Sequence, residues 1–147
     1  MASVLPPQLP VDEATAQAVF KAFQLEGFFP EFSAELCSKV FPRSGVHQFP
    51  PSAVLIEQGE RGRDLFLVLG GAVSVSRAPG KVDARVGPGT VLGEIALLAD
   101  GVRTATASAD APTVVYRLAY EDVGYLLKNN PALAEHLKTL ARERTGK

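Results

Sequence analysis

The chain has 147 residues, of which 46% are hydrophobic and 21% charged, and its formal net charge is -1. That length suits one domain with one core, and those proportions suit a soluble globular protein. A charge near zero, without a basic stripe, argues against a nucleic-acid partner, and no run approaches the roughly 20 apolar residues that a membrane helix needs.

Residues 1–11 read as a flexible N-terminal arm, because Pro6, Pro7 and Pro10 remove backbone donors and forbid a regular helix. The same prolines break up the opening before it can resemble a signal peptide, so a cytoplasmic protein is expected. Residues 12–147 are expected to form a single domain. Asp12 is placed to cap a helix over Asp12–Gly27, with Val19, Phe20 and Phe23 as its apolar stripe. A second helix is expected from Ser33, as N-cap, to Val40, and Pro42 ends it. These two make up a helical stretch over residues 12–41. Cys37 falls in the apolar pattern of the second. As the only cysteine it can form neither an internal disulfide nor a thiolate metal site, and a core thiol is expected.

The texture changes at Ser44. From there to Leu118, short runs rich in Val, Leu, Ile and Thr alternate with Gly and Pro. The expected strands are Gly45–Phe49, Val54–Glu57, Leu65–Leu69, Ala72–Arg77, Val82–Val86, Thr90–Leu92, Thr104–Ala109 and Thr113–Leu118. Strands this short and this evenly punctuated predict a mainly β protein with flanking helices: an eight-stranded, jelly-roll-like β-roll over residues 44–118. In Val73-Ser74-Val75-Ser76 one face is apolar, and the other is expected to meet water. Helical texture returns over residues 119–145. Asn130-Pro131 is a start signal, and Leu133, Leu137 and Leu140 lie on one face of the helix that follows. The basic residues Lys138, Arg142, Arg144 and Lys147 suit the negative end of that helix dipole.

The chemistry concentrates in Gly93-Glu94-Ile95-Ala96-Leu97-Leu98, followed after a short spacer by Val102-Arg103-Thr104-Ala105. A short helical turn after a glycine offers unpaired amides to an anion, and Gly93 allows the backbone to approach a ligand closely. Arg103 carries a planar fork of donors suited to a phosphate. Glu94 and Arg103 could equally pair with each other, and this segment alone leaves both readings open.

The segment resembles the phosphate-binding cassette of cyclic-nucleotide-binding domains. A second stretch is similar to the glycine-bounded strand pair of the same family: Leu55-Ile56-Glu57-Gln58-Gly59-Glu60-Arg61-Gly62, leading into Asp64-Leu65-Phe66-Leu67-Val68 and Gly70-Gly71. The resemblance covers about residues 30–140. It implies that Glu94 accepts a hydrogen bond from the ribose 2′-hydroxyl and that Arg103 holds the cyclic phosphate. It implies further that amides near Ile95, Ala96 and Ala105 complete the cradle, with Thr104 beside the base or phosphate. Val86 and Leu92 are the candidates for contact with the base, and the last helix is implied to close over it as a lid. The expected ligand is cyclic GMP or cyclic AMP, with no further cofactor. Thr104 favours cyclic GMP, because its hydroxyl can accept from a guanine 2-amino group while donating to phosphate.

Other classes are weaker. A metal-dependent β-roll enzyme needs a cluster of histidines and a carboxylate, whereas this chain has only His47 and His136, in different textures. No catalysis is expected. Transcription factors of the family carry a helix-turn-helix after the roll; none is expected within these 147 residues, so DNA binding is disfavoured. The expected protein is therefore a sensor domain, acting alone or regulating an effector. The leucine face of its C-terminal helix is available either as a lid or for a homodimer.

Overall fold

A computed structural model describes residues 5–93 and 101–145. Two helices open the chain, α1 (Glu13–Ala22) and α2 (Ala34–Val40). Asp12 and Ser33 cap them, accepting hydrogen bonds from the Thr15 amide at 2.7 Å and the Leu36 amide at 3.0 Å. The single helix expected over Asp12–Gly27 is cut short. Gln24 adopts a left-handed conformation (φ 50°) and a 3₁₀ turn follows over Leu25–Gly27, which turns Leu25 into the core.

Among the described residues eight strands follow: β1 (Gly45–Phe49), β2 (Val54–Ile56), β3 (Leu65–Gly70), β4 (Val73–Ser76), β5 (Ala84–Val86), β6 (Val91–Leu92), β7 (Thr106–Ala109) and β8 (Thr113–Leu118). They form two four-stranded antiparallel sheets, in the orders β1-β8-β3-β6 and β2-β7-β4-β5. This is the β-roll expected from the punctuation. Helices α3 (Tyr120–Asn129) and α4 (Pro131–Thr145) complete the fold. Asn130 caps α4, its side chain accepting from the Leu133 amide at 3.3 Å.

The core has two parts, and β3 belongs to both. Phe66 and Val68 point between the sheets, into a cluster with Phe49, Leu55, Ile56, Val73, Ala107, Ala109 and Val115. Leu65 and Leu67 point the other way, into a layer built with Phe23, Phe32, Phe41 and the helical leucines. A strand covered on both faces carries no polar alternation, which is why Leu65–Leu69 reads as an unbroken apolar run. In β4 the expected water-facing side is half closed: Ser74 is buried, and its hydroxyl donates to Asp110 Oδ2 at 2.5 Å. A buried hydroxyl needs such a partner, and Asp110 at the end of β7 supplies it.

Cys37 sits in the helical layer, where its thiol donates to the Tyr116 hydroxyl at 3.7 Å. Burial pushes the thiol pKa up to about 11. Thiolate is the reactive form, so Cys37 is expected to resist alkylation by iodoacetamide in the native protein. It should react only at the rate of global unfolding. Fast labelling at pH 8 without denaturant would contradict this burial.

Candidate ligand-binding site

A loop of the second signature and the end of the cassette are stitched together by backbone hydrogen bonds. The Gly59 amide donates to the Arg103 carbonyl at 2.9 Å, the Arg103 amide to the Glu60 carbonyl at 2.8 Å, and the Gly62 amide to the Gly101 carbonyl at 2.7 Å. Arg61 and Val102 face each other as an antiparallel bridge. The second signature, Leu55–Gly62, thus provides the support for the first. Its glycines and turn keep the chain close enough for residues 101–103 to pair with it.

Arg103 is only 8% exposed, so it does not project from a surface loop. Its Nη2 donates to the Asp64 carbonyl at 3.0 Å and its Nη1 reaches the Gly93 carbonyl at 3.5 Å. Its guanidinium carbon stands 5.9 Å from the centre of the Phe66 ring, within reach of a cation–π contact. Burial pulls the guanidinium below its ordinary pKa, and the charges of Asp64 and Glu60 counter that pull. It remains a cation at any ordinary pH. Gly93 holds φ +97°, and a Cβ there would lie 2.8 Å from both Arg103 Nη1 and the Asp64 carbonyl oxygen. Only glycine combines that backbone conformation with that proximity.

Arg103 borders a cavity of about 200 Å³, lined also by Leu55, Ile56, Gly62, Asp64 and Phe66. One side is apolar and aromatic, and the other carries Arg103 together with the charged residues Glu60, Arg61 and Asp64. Val86 and Leu92 do not line this cavity. They are half-buried and pack on the cluster between the sheets, with Val86 opposite Val73 and Leu92 opposite Phe66. Thr104 is exposed and Ala105 half-buried directly after Arg103. Glu94, Ile95 and Ala96 lie outside the described residues.

Asp64 was not singled out in the sequence, yet it organises the surroundings. Its carboxylate receives Arg117 Nη1 at 3.0 Å and the Tyr120 amide at 2.8 Å, while its carbonyl holds Arg103. It therefore joins the arginine of the cassette to β8 and to the first residue of α3. Its signal in the sequence is its place in the second signature, directly before β3, which assigns it no role. His47 and His136 lie apart. His47 is buried beside the Pro6 carbonyl and Arg117, and His136 faces the carbonyls of Phe23 and Gln24. Among the described residues no group of His, Cys, Asp and Glu could hold a metal ion, and no helix is long and apolar enough to cross a membrane.

The leucine face of α4 is already in use. Leu133, Leu137 and Leu140 are buried in the helical layer with Val19, Phe23 and Leu25, and none of them borders the cavity of Arg103. A homodimer through that face would first have to undock the helix.

Residues 46–130 match the family model described as the cyclic nucleotide-binding domain. Over 97 residues the chain is 37% identical to a cyclic nucleotide-gated potassium channel of Mesorhizobium japonicum, covering 66% of this chain and 26% of the channel. It is 32% identical over 96 residues to the human potassium/sodium hyperpolarization-activated cyclic nucleotide-gated channel 3, covering 65% of this chain and 12% of the channel. The chain thus spans about a quarter or less of these curated relatives. Among solved structures, a cyclic nucleotide-binding domain from Methylobacillus flagellatus superposes with a TM-score of 0.73 at 25% identity, covering 95% of this chain and 79% of that one. The Thermus thermophilus catabolite activator protein gives a TM-score of 0.65 at 28% identity, covering 84% of this chain and 58% of that one. A structure from work on a cyclic-GMP-dependent signalling pathway in bacterial phytopathogenesis gives 0.62 at 25% identity, covering 77% and 93%.

Proposed function

The chain belongs to the cyclic nucleotide-binding domain family, and from that membership we propose that it is a sensor for a cyclic mononucleotide, with cyclic GMP preferred over cyclic AMP. The observation that carries the reading is the placement of Arg103. A guanidinium only 8% exposed, held by neutral carbonyls, stands at the wall of a cavity with an aromatic ring beneath it. The charges of Asp64 and Glu60 offset part of the cost of burying that cation, and a cyclic phosphate would add a counter-charge in direct contact with it. Glu94 is assigned to the ribose 2′-hydroxyl, amides near Ile95, Ala96 and Ala105 to the phosphate, and Val86 and Leu92 to the base. No catalytic step is assigned to the domain.

The preference for cyclic GMP rests on Thr104. Thr104 follows Arg103 directly and is exposed. In the syn conformation guanine brings its 2-amino group near the phosphate, where the threonine hydroxyl can accept from it. One neutral hydrogen bond is worth about 0.5–1.5 kcal/mol, or roughly threefold to tenfold in affinity. The relation of one solved neighbour to a cyclic-GMP-dependent pathway adds support.

The route to an effector runs through Asp64, whose carbonyl holds Arg103 and whose carboxylate receives the first amide of α3. A phosphate that draws Arg103 away from that carbonyl shifts the anchor of the C-terminal helices. The effector is then a following domain or a partner protein, and the domain works in the cytoplasm.

Calorimetry with cyclic GMP, cyclic AMP and a cyclic dinucleotide tests the reading. Micromolar binding, about -8 kcal/mol, is expected for the two mononucleotides. Cyclic GMP should bind threefold to tenfold more tightly, and Thr104→Ala should abolish the difference by weakening cyclic GMP alone. If cyclic AMP is the ligand that weakens, the assignment of the base is wrong. No heat with any of the three points to a roll that mediates protein contacts without a ligand.

A further inference from the structure

The mouth of the roll is already partly occupied by the chain itself. Residues 5–9 pass beside β1, where the Leu9 amide donates to the Val46 carbonyl at 2.7 Å and the Val46 amide to the Leu9 carbonyl at 3.3 Å. One residue further, His47 Nδ1 stands 2.8 Å from the Pro6 carbonyl. With Nδ1 donating there, Nε2 is left to accept, and Arg117 Nε donates to it at 3.2 Å. Arg117 Nη2 donates in turn to Gln8 Oε1 at 3.3 Å. The Gln8 side chain lies over Gly45, where a Cβ would stand 2.5 Å from Gln8 Cγ, so the strand keeps room for it. Leu5 then reaches the wall of the cavity that Arg103 borders.

We propose, resting on the sensor reading above, that residues 5–9 form an intramolecular strap that competes with the nucleotide for the mouth of the roll. Three observations converge on it. The space left beside Arg103 is about 200 Å³, below the roughly 300–1,000 Å³ usual for small-molecule sites, and Leu5 is one of its walls. The strap is held by Arg117, which pairs through its Nη1 with Asp64, the residue whose carbonyl holds Arg103. The strap and the phosphate-binding arginine therefore share one network. Leu5 and Leu9 are also still 43% and 37% exposed, so the contact is shallow and can be released. Pro6, Pro7 and Pro10 keep the free arm extended, which lowers the entropy lost when it docks again.

The consequence is a sensor with an internal threshold. Nucleotide binding must displace the strap, and its apparent affinity falls by the fraction of molecules in which the strap is docked.

The test compares the full chain with a Leu5→Ser, Gln8→Ala double variant. Titration with cyclic GMP and cyclic AMP is expected to show threefold to tenfold tighter binding in the variant for both ligands, since the strap does not read the base. In the unaltered chain, saturating nucleotide should speed hydrogen exchange at the Leu9 amide, which the docked strap protects. Equal affinity in the two proteins, or weaker binding by the variant, overturns the strap while leaving the sensor intact. Leu9 exchange that nucleotide leaves unchanged overturns it as well. Binding by neither protein overturns the sensor reading, and the competition with it.

Discussion

Arg103→Ala is expected to weaken cyclic-nucleotide binding by about 2 kcal/mol or more, roughly thirtyfold, because charge-assisted hydrogen bonds are worth about 1.5–3 kcal/mol each. The structure explains why the fold should survive the change. Residues 101–103 are held to residues 59–62 by backbone groups, which the substitution leaves in place. The carbonyls of Asp64 and Gly93 lose only a donor. Arg103→Lys keeps the charge but loses the planar fork, so it should recover part of the affinity and not all of it. The measurement is calorimetric titration of the three proteins, with circular dichroism to establish that each is folded. Unchanged affinity in a folded Arg103→Ala protein would remove this arginine from the site, and with it the main support for the ligand reading.

A large effect on stability is expected at Asp122, outside the apolar core. Asp122 lies in the first turn of α3 and is 1% exposed. Its carboxylate accepts from the Ser44 hydroxyl at 2.5 Å and from the Arg43 amide at 3.1 and 3.2 Å. Ser44 Oγ in turn accepts from the Ala119 amide at 2.9 Å. This network fastens the start of the C-terminal helices to the start of β1. Burial pushes the Asp122 carboxyl above its ordinary pKa, and the donors from Ser44 and Arg43 counter it. Asp122→Ala leaves those two donors without an acceptor. Each orphaned group costs about 1–3 kcal/mol, so a loss of about 3 kcal/mol is expected. Asp122→Asn keeps one accepting oxygen and should cost less. Denaturant unfolding monitored by circular dichroism decides the matter. A loss under about 1 kcal/mol for Asp122→Ala, with the dependence on denaturant unchanged, would show that the network does not carry the junction.

The class of fold and the identity of the cassette were legible in the chain. Short runs of Val, Leu, Ile and Thr between Gly and Pro suffice for eight strands, because turn chemistry and side-chain period are local properties. The cassette was legible because its residues are consecutive. The role of Asp64 was not, because the second signature includes the residue without assigning it a partner. Its importance arises only when Arg117, Tyr120 and Arg103, between 39 and 56 positions away, arrive around it.

The last helix separates the two levels clearly. Periodicity alone determined that Leu133, Leu137 and Leu140 form one face that must be covered. It could not say what covers them, since burial has no direction in sequence. The tertiary structure sets them in the helical layer with Val19, Phe23 and Leu25, on the far side of β3 from the cavity. The arm follows the same rule. Pro6, Pro7 and Pro10 determined by themselves that residues 1–11 form no helix. Only the folded roll decided where residues 5–9 lie. It alone brings the Val46 backbone, His47 and Arg117 within reach of Leu9, Pro6 and Gln8 on the arm.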